Sequence, residues 1–109
     1  MTTFRAEAEA PERKMTLAET VMYHASLNGV DPDLAYSMMM CESKGKQNTK
    51  GDYNRATGIF MYWTDTWNRH SLKYFGKVLD INSSDDQALV ATAAIAGGDG
   101  REWTSYRAI

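Results

Sequence analysis

Residues that begin and end helices constrain this chain more than any other feature of its sequence. Thr16 and Glu19 have the spacing of a capping box, in which both side chains bind free N–H groups of the first turn, and Gly29 supplies a left-handed stop. The pair Asp31-Pro32 then places a capping residue before a proline suited to the first helical position. The sequence therefore predicts two consecutive helices, over about residues 17–28 and 32–43.

An Ala-rich segment later in the chain predicts a further helix. Ser84 and Gln87 again have the spacing of a capping box, and the pair Gly97-Gly98 ends the segment. The small alanine side chains favour close packing against another helix. A last helix is predicted to begin at about Trp103.

The segment between these helices has a different composition. Residues 43–58 contain three glycines and many Asn, Lys, Asp and Thr residues, which is typical of a loop or an irregular hairpin. A short helix, capped by Thr64 or Asp65, is predicted to follow and to end at His70. The predicted fold class is mainly α, a small helical domain with an irregular loop or short hairpin.

Length and charge limit the number of domains and the kinds of partner. A chain of 109 residues, 43% of them hydrophobic, supports one domain with a single core, which we place at residues 15–109. Residues 1–14 contain no large aliphatic side chain and are predicted to be a disordered arm or a linker remnant. The net charge of -2 and the scattered Lys and Arg residues argue against a nucleic-acid partner. We expect a monomer.

Cysteine, histidine and apolar residues exclude several other kinds of protein. Cys41 is the single cysteine of the sequence, so an internal disulfide is excluded. His24 and His70 do not have ligand-like spacing, and neither a metal nor another cofactor is expected. No apolar stretch reaches the length of a membrane helix or forms a secretory signal. The expected protein is soluble, without a signal peptide or membrane insertion.

Glu42 is the acidic residue with the most unusual surroundings. At about 100° per residue, the second predicted helix places Glu42 near the middle of an arc of apolar side chains, which we expect to be buried: Leu34, Ala35, Met38, Met39 and Cys41. Desolvation disfavours the charged form of a carboxyl group, so Glu42 is expected to hold a proton near neutral pH. A general acid for glycosidic cleavage needs this property. The alternative is that Glu42 lies in the last helical turn and bends out into water.

The order of motifs after Glu42 resembles one enzyme family. The string Cys41-Glu42-Ser43, a Gly-rich polar loop, the stretch from Gly58 to Trp63 and the pair Thr66-Trp67 resemble the lysozyme-like lytic transglycosylases, which share a superfamily with goose-type lysozymes. The resemblance covers about residues 15–107. It implies a lysozyme-like catalytic domain with Glu42 as the catalytic acid and base. The implied substrate is peptidoglycan, cleaved between N-acetylmuramic acid and N-acetylglucosamine.

The resemblance also implies a glycan groove beside Glu42. Residues from Gly58 to Trp63 would line it, and exposed aromatic faces suit the apolar faces of sugar rings. Trp67 is instead expected in the core. The predicted substrate-binding residues are Ser43, Tyr53, Thr57, Gly58, Met61, Tyr62, Trp63 and Tyr106.

Two positions depart from the pattern of the family. Met61 stands where the family usually has Gln, and a thioether cannot replace the hydrogen bonds of an amide. The A-Y-N-A-G pattern of many members appears without its Tyr and Asn at residues 94–98, and Tyr106 is the candidate for the missing hydroxyl. These departures leave open a glycan-binding module of the same fold with impaired catalysis, or a structural or engineered lysozyme-like scaffold whose sequence was redrawn around Glu42.

Whether Asp52 acts as a second catalytic carboxylate decides between two reactions of the enzymes that the chain resembles. A lytic transglycosylase uses one Glu and the 6-hydroxyl of the sugar, whereas an inverting hydrolase needs a second carboxylate to activate water. Asp52 lies six residues before Gly58, at the spacing of a water-positioning Asp in goose-type lysozymes. It is therefore a candidate base, although Gly51-Asp52 also suits a turn in which the Asp bonds its own backbone. The sequence predicts a muramidase that acts at the cell wall.

Overall fold

The structure, a computed structural model, describes residues 14–108. The predicted arm therefore lies outside the described residues except for Lys14, and so does Ile109. Within residues 14–108 the chain forms five α-helices, one 3-10 turn and three short strands, and this confirms the mainly α class. The elements are α1 (Leu17–Leu27), α2 (Pro32–Ser43), β1 (Lys50–Gly51), β2 (Ala56–Thr57), β3 (Tyr62–Trp63), α3 (Thr64–Phe75), α4 (Ser84–Ala96), the 3-10 turn (Gly100–Glu102) and α5 (Thr104–Ala108).

Helices α1 and α2 begin and end close to the predicted positions. The Glu19 N–H donates to Thr16 Oγ1 at 3.1 Å and the Thr16 N–H donates to Glu19 Oε1 at 2.9 Å, so the capping box is complete. Gly29 has φ of +76°, as a left-handed stop requires. Asp31 caps α2 by accepting from the Asp33 N–H at 2.9 Å.

Two helices were predicted with wrong ends or caps. Helix α3 continues past His70 to Phe75, and neither Thr64 nor Asp65 caps it, since Trp63 is at the N-cap without a side-chain hydrogen bond. Helix α4 is capped by Ser83 rather than by Ser84, because the Ser83 hydroxyl accepts from the Asp86 N–H at 3.1 Å.

The polar segment after α2 forms the short hairpin that the sequence allowed. Strands β1, β2 and β3 pair in that order and are all antiparallel, with Lys50 opposite Thr57 and Ala56 opposite Trp63. The turn between β1 and β2 contains three consecutive non-glycine residues with positive φ, at Asp52, Tyr53 and Asn54. The sheet lies next to the C-terminal end of α2 in the chain and leads directly into α3.

Gln87 was predicted to take part in a capping box, but the structure places its side chain in the core. Its side chain is fully buried and makes three hydrogen bonds to backbone groups outside α4. Oε1 accepts from the Phe60 N–H at 2.9 Å, while Nε2 donates to the carbonyls of Thr57 and Ile81, both at 2.9 Å. At Gly58, where φ is +88°, a Cβ atom would lie 2.0 Å from Gln87 Nε2. The chain therefore needs glycine here to pass over Gln87.

The core lies between α1, α2, α4 and the segment that follows the hairpin. Helix α1 packs on both α2 and α4, and Asn28 Nδ2 on its C-cap donates to Thr92 Oγ1 of α4 at 2.8 Å. Trp67 is 1% exposed and donates from Nε1 to the Leu79 carbonyl at 2.8 Å, which confirms its predicted place in the core. Trp103 is also buried, against Phe60.

The apolar arc of α2 is narrower than predicted. Ala35, Met38 and Met39 are buried, but Cys41 is exposed, so the prediction of a buried cysteine was wrong. Cys41 lies about 60° beyond Met38 around the helix axis at ~100° per residue, outside the buried stripe. Glu42 lies inside the stripe and is partly buried.

Residues 14–108 contain no helix that could span a membrane. None of the helices there combines the length and the apolar character that a bilayer crossing requires.

Candidate functional site

A cleft of about 280 Å³ opens where the end of α2, the hairpin, α3 and the segment before α5 meet. It contains three carboxylates, three aromatic side chains of the Tyr and Trp type, a histidine and two threonines. Its lining residues are Glu42, Asp52, Met61, Tyr62, Trp63, Thr66, His70, Glu102, Trp103 and Thr104.

Glu42 is held inside this cleft by a residue that is distant in sequence. It lies one residue before the end of α2, and the Ser105 hydroxyl donates to Glu42 Oε2 at 2.6 Å. Ser105 is itself 3% exposed, so this donor is sheltered from water. The carboxyl group is therefore tied to α5 and does not bend out into bulk solvent.

Asp52 also lines the cleft, where it contacts an aromatic side chain. Trp63 Nε1 donates to Asp52 Oδ2 at 3.1 Å, so the carboxylate bonds across the hairpin rather than to its own backbone. The guanidinium of Arg55 lies 5.6 Å from the centre of the Trp63 ring, within cation–π range. Trp63 keeps 43% of its surface exposed between these two contacts.

Three of the predicted substrate-binding residues line the cleft together with Glu42. They are Met61, Tyr62 and Trp63. Met61 has φ of +50° and its N–H donates to the Gly58 carbonyl at 3.1 Å, which closes a tight turn. Its methyl group packs over Gly51, where an added Cβ would lie 2.3 Å from Met61 Cε. The hairpin therefore presents a thioether to the cleft.

The other five predicted substrate-binding residues are not among the residues that line the cleft. Ser43 is buried, donates to the Met39 carbonyl at 3.2 Å and accepts from the Gly45 N–H at 3.1 Å, so its hydroxyl stabilises the end of α2. Thr57 and Gly58 lie against Gln87 instead.

Tyr53 and Tyr106 have different surroundings. Tyr53 is 96% exposed in the turn between β1 and β2. Tyr106 lines a separate surface pocket with Arg101 and Arg107. The hydroxyl that contacts Glu42 therefore comes from Ser105, the residue before the one that the sequence suggested.

A buried chain of polar side chains forms one wall of the cleft. The Tyr62 hydroxyl lies 2.8 Å from His70 Nδ1, and His70 Nε2 lies 3.3 Å from Glu102 Oε1. Both rings are almost completely inaccessible to solvent. Arg69 binds the same carboxylate through both guanidinium nitrogens, from Nη2 to Oε1 at 2.7 Å and from Nη1 to Oε2 at 3.1 Å.

The pKa values of this chain follow from its burial and charges. Burial is the main cause that raises the pKa of Tyr62 well above its ordinary value and that lowers the pKa of His70. Hydrogen bonding by Arg69 is the main cause that lowers the pKa of Glu102. Near neutral pH the chain therefore contains a protonated phenol, a neutral imidazole and an ionised carboxylate. The phenol can donate to Nδ1, which leaves the imidazole proton on Nε2, facing Glu102.

A third carboxylate lies next to this chain. Donor atoms of His70, Asp99 and Glu102 lie within 4.8 Å of one another, which is close enough to share a metal ion. However, Lys73 Nζ and the Tyr74 hydroxyl already bind Asp99 Oδ2, at 2.9 and 2.6 Å. Arg69 likewise binds Glu102. Because protein cations already pair with both carboxylates, the electrostatics favour an ion-pair network over a cation site.

This network predicts that the folded protein loses stability in mild acid. The unfolded chain protonates its histidine below about pH 6.5, whereas the lowered pKa of His70 keeps the buried ring neutral to lower pH. The unfolded state then binds more protons, and stability rises with pH in this range. The lowered pKa values of Glu102 and Asp99 extend the loss at still lower pH, as these carboxylates are protonated.

We expect the free energy of unfolding, measured by urea denaturation, to fall between pH 7.5 and 5.5 because of His70, by at most about 1.4 kcal/mol, the limit for one histidine that stays neutral over this range. The variant His70→Gln should lack this part of the pH dependence. An unchanged slope in the variant would show that another group causes it.

Sequence reasoning missed part of the cleft, although some signals were present. Thr66 and His70 are four residues apart on α3, so they share one helix face that follows directly from Trp63. This spacing was available in the sequence. Glu102 and Ser105 had no such signal, because they approach Glu42 and His70 only when the chain after α4 turns back towards the hairpin.

Comparison of the chain with protein-family models, with curated proteins and with solved structures finds no match. The chemistry of the cleft and the order of the sequence motifs are therefore the basis for a functional proposal.

Proposed function

We propose that this protein is a glycosidase with Glu42 as its general acid. The observation that carries the proposal is the position of Glu42, a partly buried carboxyl group in a cleft with aromatic walls, bound by the Ser105 hydroxyl at 2.6 Å. A glycosidic oxygen must be protonated as its bond breaks, and a fixed carboxylic acid can supply this proton.

The specific substrate that we propose is peptidoglycan, cleaved between N-acetylmuramic acid and N-acetylglucosamine. The order of the Glu42, Gly58 and Thr66 motifs, which resembles the lysozyme-like lytic transglycosylases, supports this choice. The cleft supports it as well, since Trp63 offers an exposed aromatic surface on which a sugar ring can stack. In this proposal the protein is a muramidase that acts on glycan strands of the cell wall.

The reaction begins with proton transfer from Glu42 to the oxygen that links the two sugars. As the bond to C1 breaks, positive charge develops on C1 and the ring oxygen, and nearby carboxyl oxygens can stabilise it. Asp52 and Glu102 both line the cleft and are available for this role. Attack by water gives a reducing end, whereas attack by the 6-hydroxyl of the same muramic acid gives an anhydro end.

A second candidate function is a glycan-binding module without catalysis. One observation favours it: Met61 presents a thioether to the cleft where the family that the chain resembles usually has an amide. Such a module would keep the aromatic surface for sugars but lack a hydrogen bond that orients the acid or the substrate.

Digestion of purified peptidoglycan, with mass spectrometry of the fragments and a sedimentation assay of binding in the same preparation, tests both candidates. The glycosidase is expected to release muropeptides with either reducing or anhydro ends. Binding without any release would support the module instead. If the protein neither binds nor cleaves peptidoglycan, both candidate functions are wrong.

Loss of the Ser105 hydroxyl should affect the reaction more than the fold. In the variant Ser105→Ala, Glu42 loses its donor and gains rotational freedom, so we expect the rate of peptidoglycan cleavage to fall by about tenfold, the equivalent of one hydrogen bond of about 1.4 kcal/mol. The measurement is kcat with the melting temperature as a control. Thr104→Ala, at an exposed neighbour that also lines the cleft, should change kcat much less. Equal losses in both variants would contradict a special role for Ser105.

A further inference from the structure

Glu102 has features of a catalytic carboxylate that the sequence did not indicate. It lines the same cleft as Glu42, and its side chain is 35% exposed, so water can reach it. Its two oxygens are held by the two terminal guanidinium nitrogens of Arg69, and Oε1 also faces the buried Nε2 of His70. The result is a carboxylate that is fixed in position and open to the cleft on one side.

The surroundings of His70 indicate that this side chain helps to hold the Glu102 carboxylate in place. Nε2 of His70 is buried and lacks a well-aligned hydrogen-bond partner among residues 14–108, although it approaches Glu102 Oε1 to 3.3 Å. A buried donor without a partner is costly and is uncommon in folded proteins. A small shift of Glu102 would satisfy this donor, so His70 can hold the carboxylate from its buried side. The carboxylate is therefore held by Arg69 and His70, while its exposed part can accept a proton from a water molecule in the cleft.

Asp52, the base that the sequence suggested, is held less firmly. It lies in the turn between β1 and β2 among residues with positive φ, and within residues 14–108 its side chain accepts one hydrogen bond, from Trp63 at 3.1 Å. No cation within residues 14–108 forms a salt bridge with it, whereas Glu102 has Arg69. A fixed geometry is what general base catalysis needs, because the water must be held in line with C1.

We propose that Glu102 is the general base that activates water in this cleft, which makes the reaction a hydrolysis. This inference rests on the proposed function, since it assumes that Glu42 protonates the glycosidic oxygen. In the reaction, Glu42 gives its proton to that oxygen as the C1–O bond breaks. The water oxygen forms a bond to C1, and Glu102 takes one proton from the water. One water is consumed, two hydroxyl ends form, and both carboxyl groups exchange protons with solvent before the next cycle.

Arg69 has a positioning role in this mechanism. Its guanidinium lowers the pKa of Glu102 and so keeps this carboxylate ionised. The charged and titratable groups near Glu102 are Arg69, His70 and Asp99, and Tyr62 lies on the far side of the histidine. Hydrolysis that requires ionised Glu102 should therefore fail on the acidic side of the pH profile, as Glu102 becomes protonated.

The test compares peptidoglycan digests by wild type and two variants that break the same ion pair, Glu102→Gln and Arg69→Met. We expect wild type to form reducing ends. Glu102→Gln should form them about 10²–10⁴ times more slowly, the usual contribution of a general base. Arg69→Met keeps the carboxylate, so its best rate should remain within about tenfold of wild type. Its acidic limb of kcat/KM should move to higher pH, because the pKa of Glu102 rises without Arg69.

Every other outcome contradicts either this inference or the proposed function. A rate of reducing-end formation within tenfold of wild type in Glu102→Gln would overturn the inference, and so would equal losses in both variants without movement of the acidic limb. Anhydro ends alone from wild type would also overturn it but leave the proposed function intact. Absence of any product from wild type would instead contradict the proposed function. If Glu102→Gln does not fold, Glu102→Asp replaces it and should lower kcat while the acidic limb remains.

Discussion

The variant Glu42→Gln is expected to cleave peptidoglycan about 10²–10⁴ times more slowly than wild type, the range for removal of a positioned general acid. An amide has nearly the same shape as the carboxyl group and can still accept from the Ser105 hydroxyl, so the fold and the glycan site should remain. The measurement is the initial rate of muropeptide release from purified cell walls, with binding of the variant to the same walls measured by sedimentation.

A matched control comes from the other end of the same helix. Asp33 is an exposed acidic residue in the first turn of α2, outside the cleft, and Asp33→Asn removes the same charge from the same element. We expect this variant to keep a cleavage rate within about twofold of wild type, since an exposed charge at this distance is screened by salt. Equal rates for Glu42→Gln and wild type would remove Glu42 from the mechanism.

The variant Gln87→Leu is expected to lower the free energy of unfolding by about 3–5 kcal/mol. The leucine would leave the Phe60 N–H and the carbonyls of Thr57 and Ile81 buried without their present partner, and each unsatisfied group costs about 1–3 kcal/mol. Because folded proteins are only marginally stable, such a loss is a large fraction of the total free energy of unfolding. The measurement is urea denaturation followed by circular dichroism.

Gln47 offers the matched control for this substitution. Its Nε2 makes one exposed hydrogen bond, to the Asn82 carbonyl at 2.7 Å, so Gln47→Leu should cost about 1 kcal/mol or less. A small effect of Gln87→Leu, similar to that of the control, would mean that the hairpin does not depend on Gln87. A large effect would support the view that α4 sets the shape of the cleft wall through this one side chain.

The sequence predicted the helices best where local chemistry decides their ends. The capping box at Thr16 and the Asp31-Pro32 pair act through bonds between near neighbours, and both helices have the predicted bounds within one residue. A capping pattern of the same kind placed the N-cap of α4 one residue too late. Ser83 and Ser84 are both capping residues by type, and the fold uses Ser83. Gln87 could not be recognised as a core residue because its partners are up to 30 residues away.

The cleft was predictable on the side that is continuous in sequence. Glu42, Asp52 and the hairpin residues up to Trp63 come from one stretch of chain, and the sequence placed them together. The opposite wall combines His70 with Glu102 and Ser105, which are 32 or more residues later and meet the first wall only through tertiary packing. Short-range periodicity contains no information on such contacts. This is also why the sequence suggested the Tyr106 hydroxyl and gave no indication that Ser105 contacts Glu42.

A crystal structure of Glu42→Gln with a peptidoglycan tetrasaccharide tests the central claim most directly, because the inactive variant keeps the bond intact. We expect the Gln side chain at position 42 to lie about 3 Å from the oxygen between N-acetylmuramic acid and N-acetylglucosamine, with a sugar ring against Trp63. A tetrasaccharide bound elsewhere on the protein, or in the cleft with this side chain turned away from the glycosidic oxygen, would contradict the account.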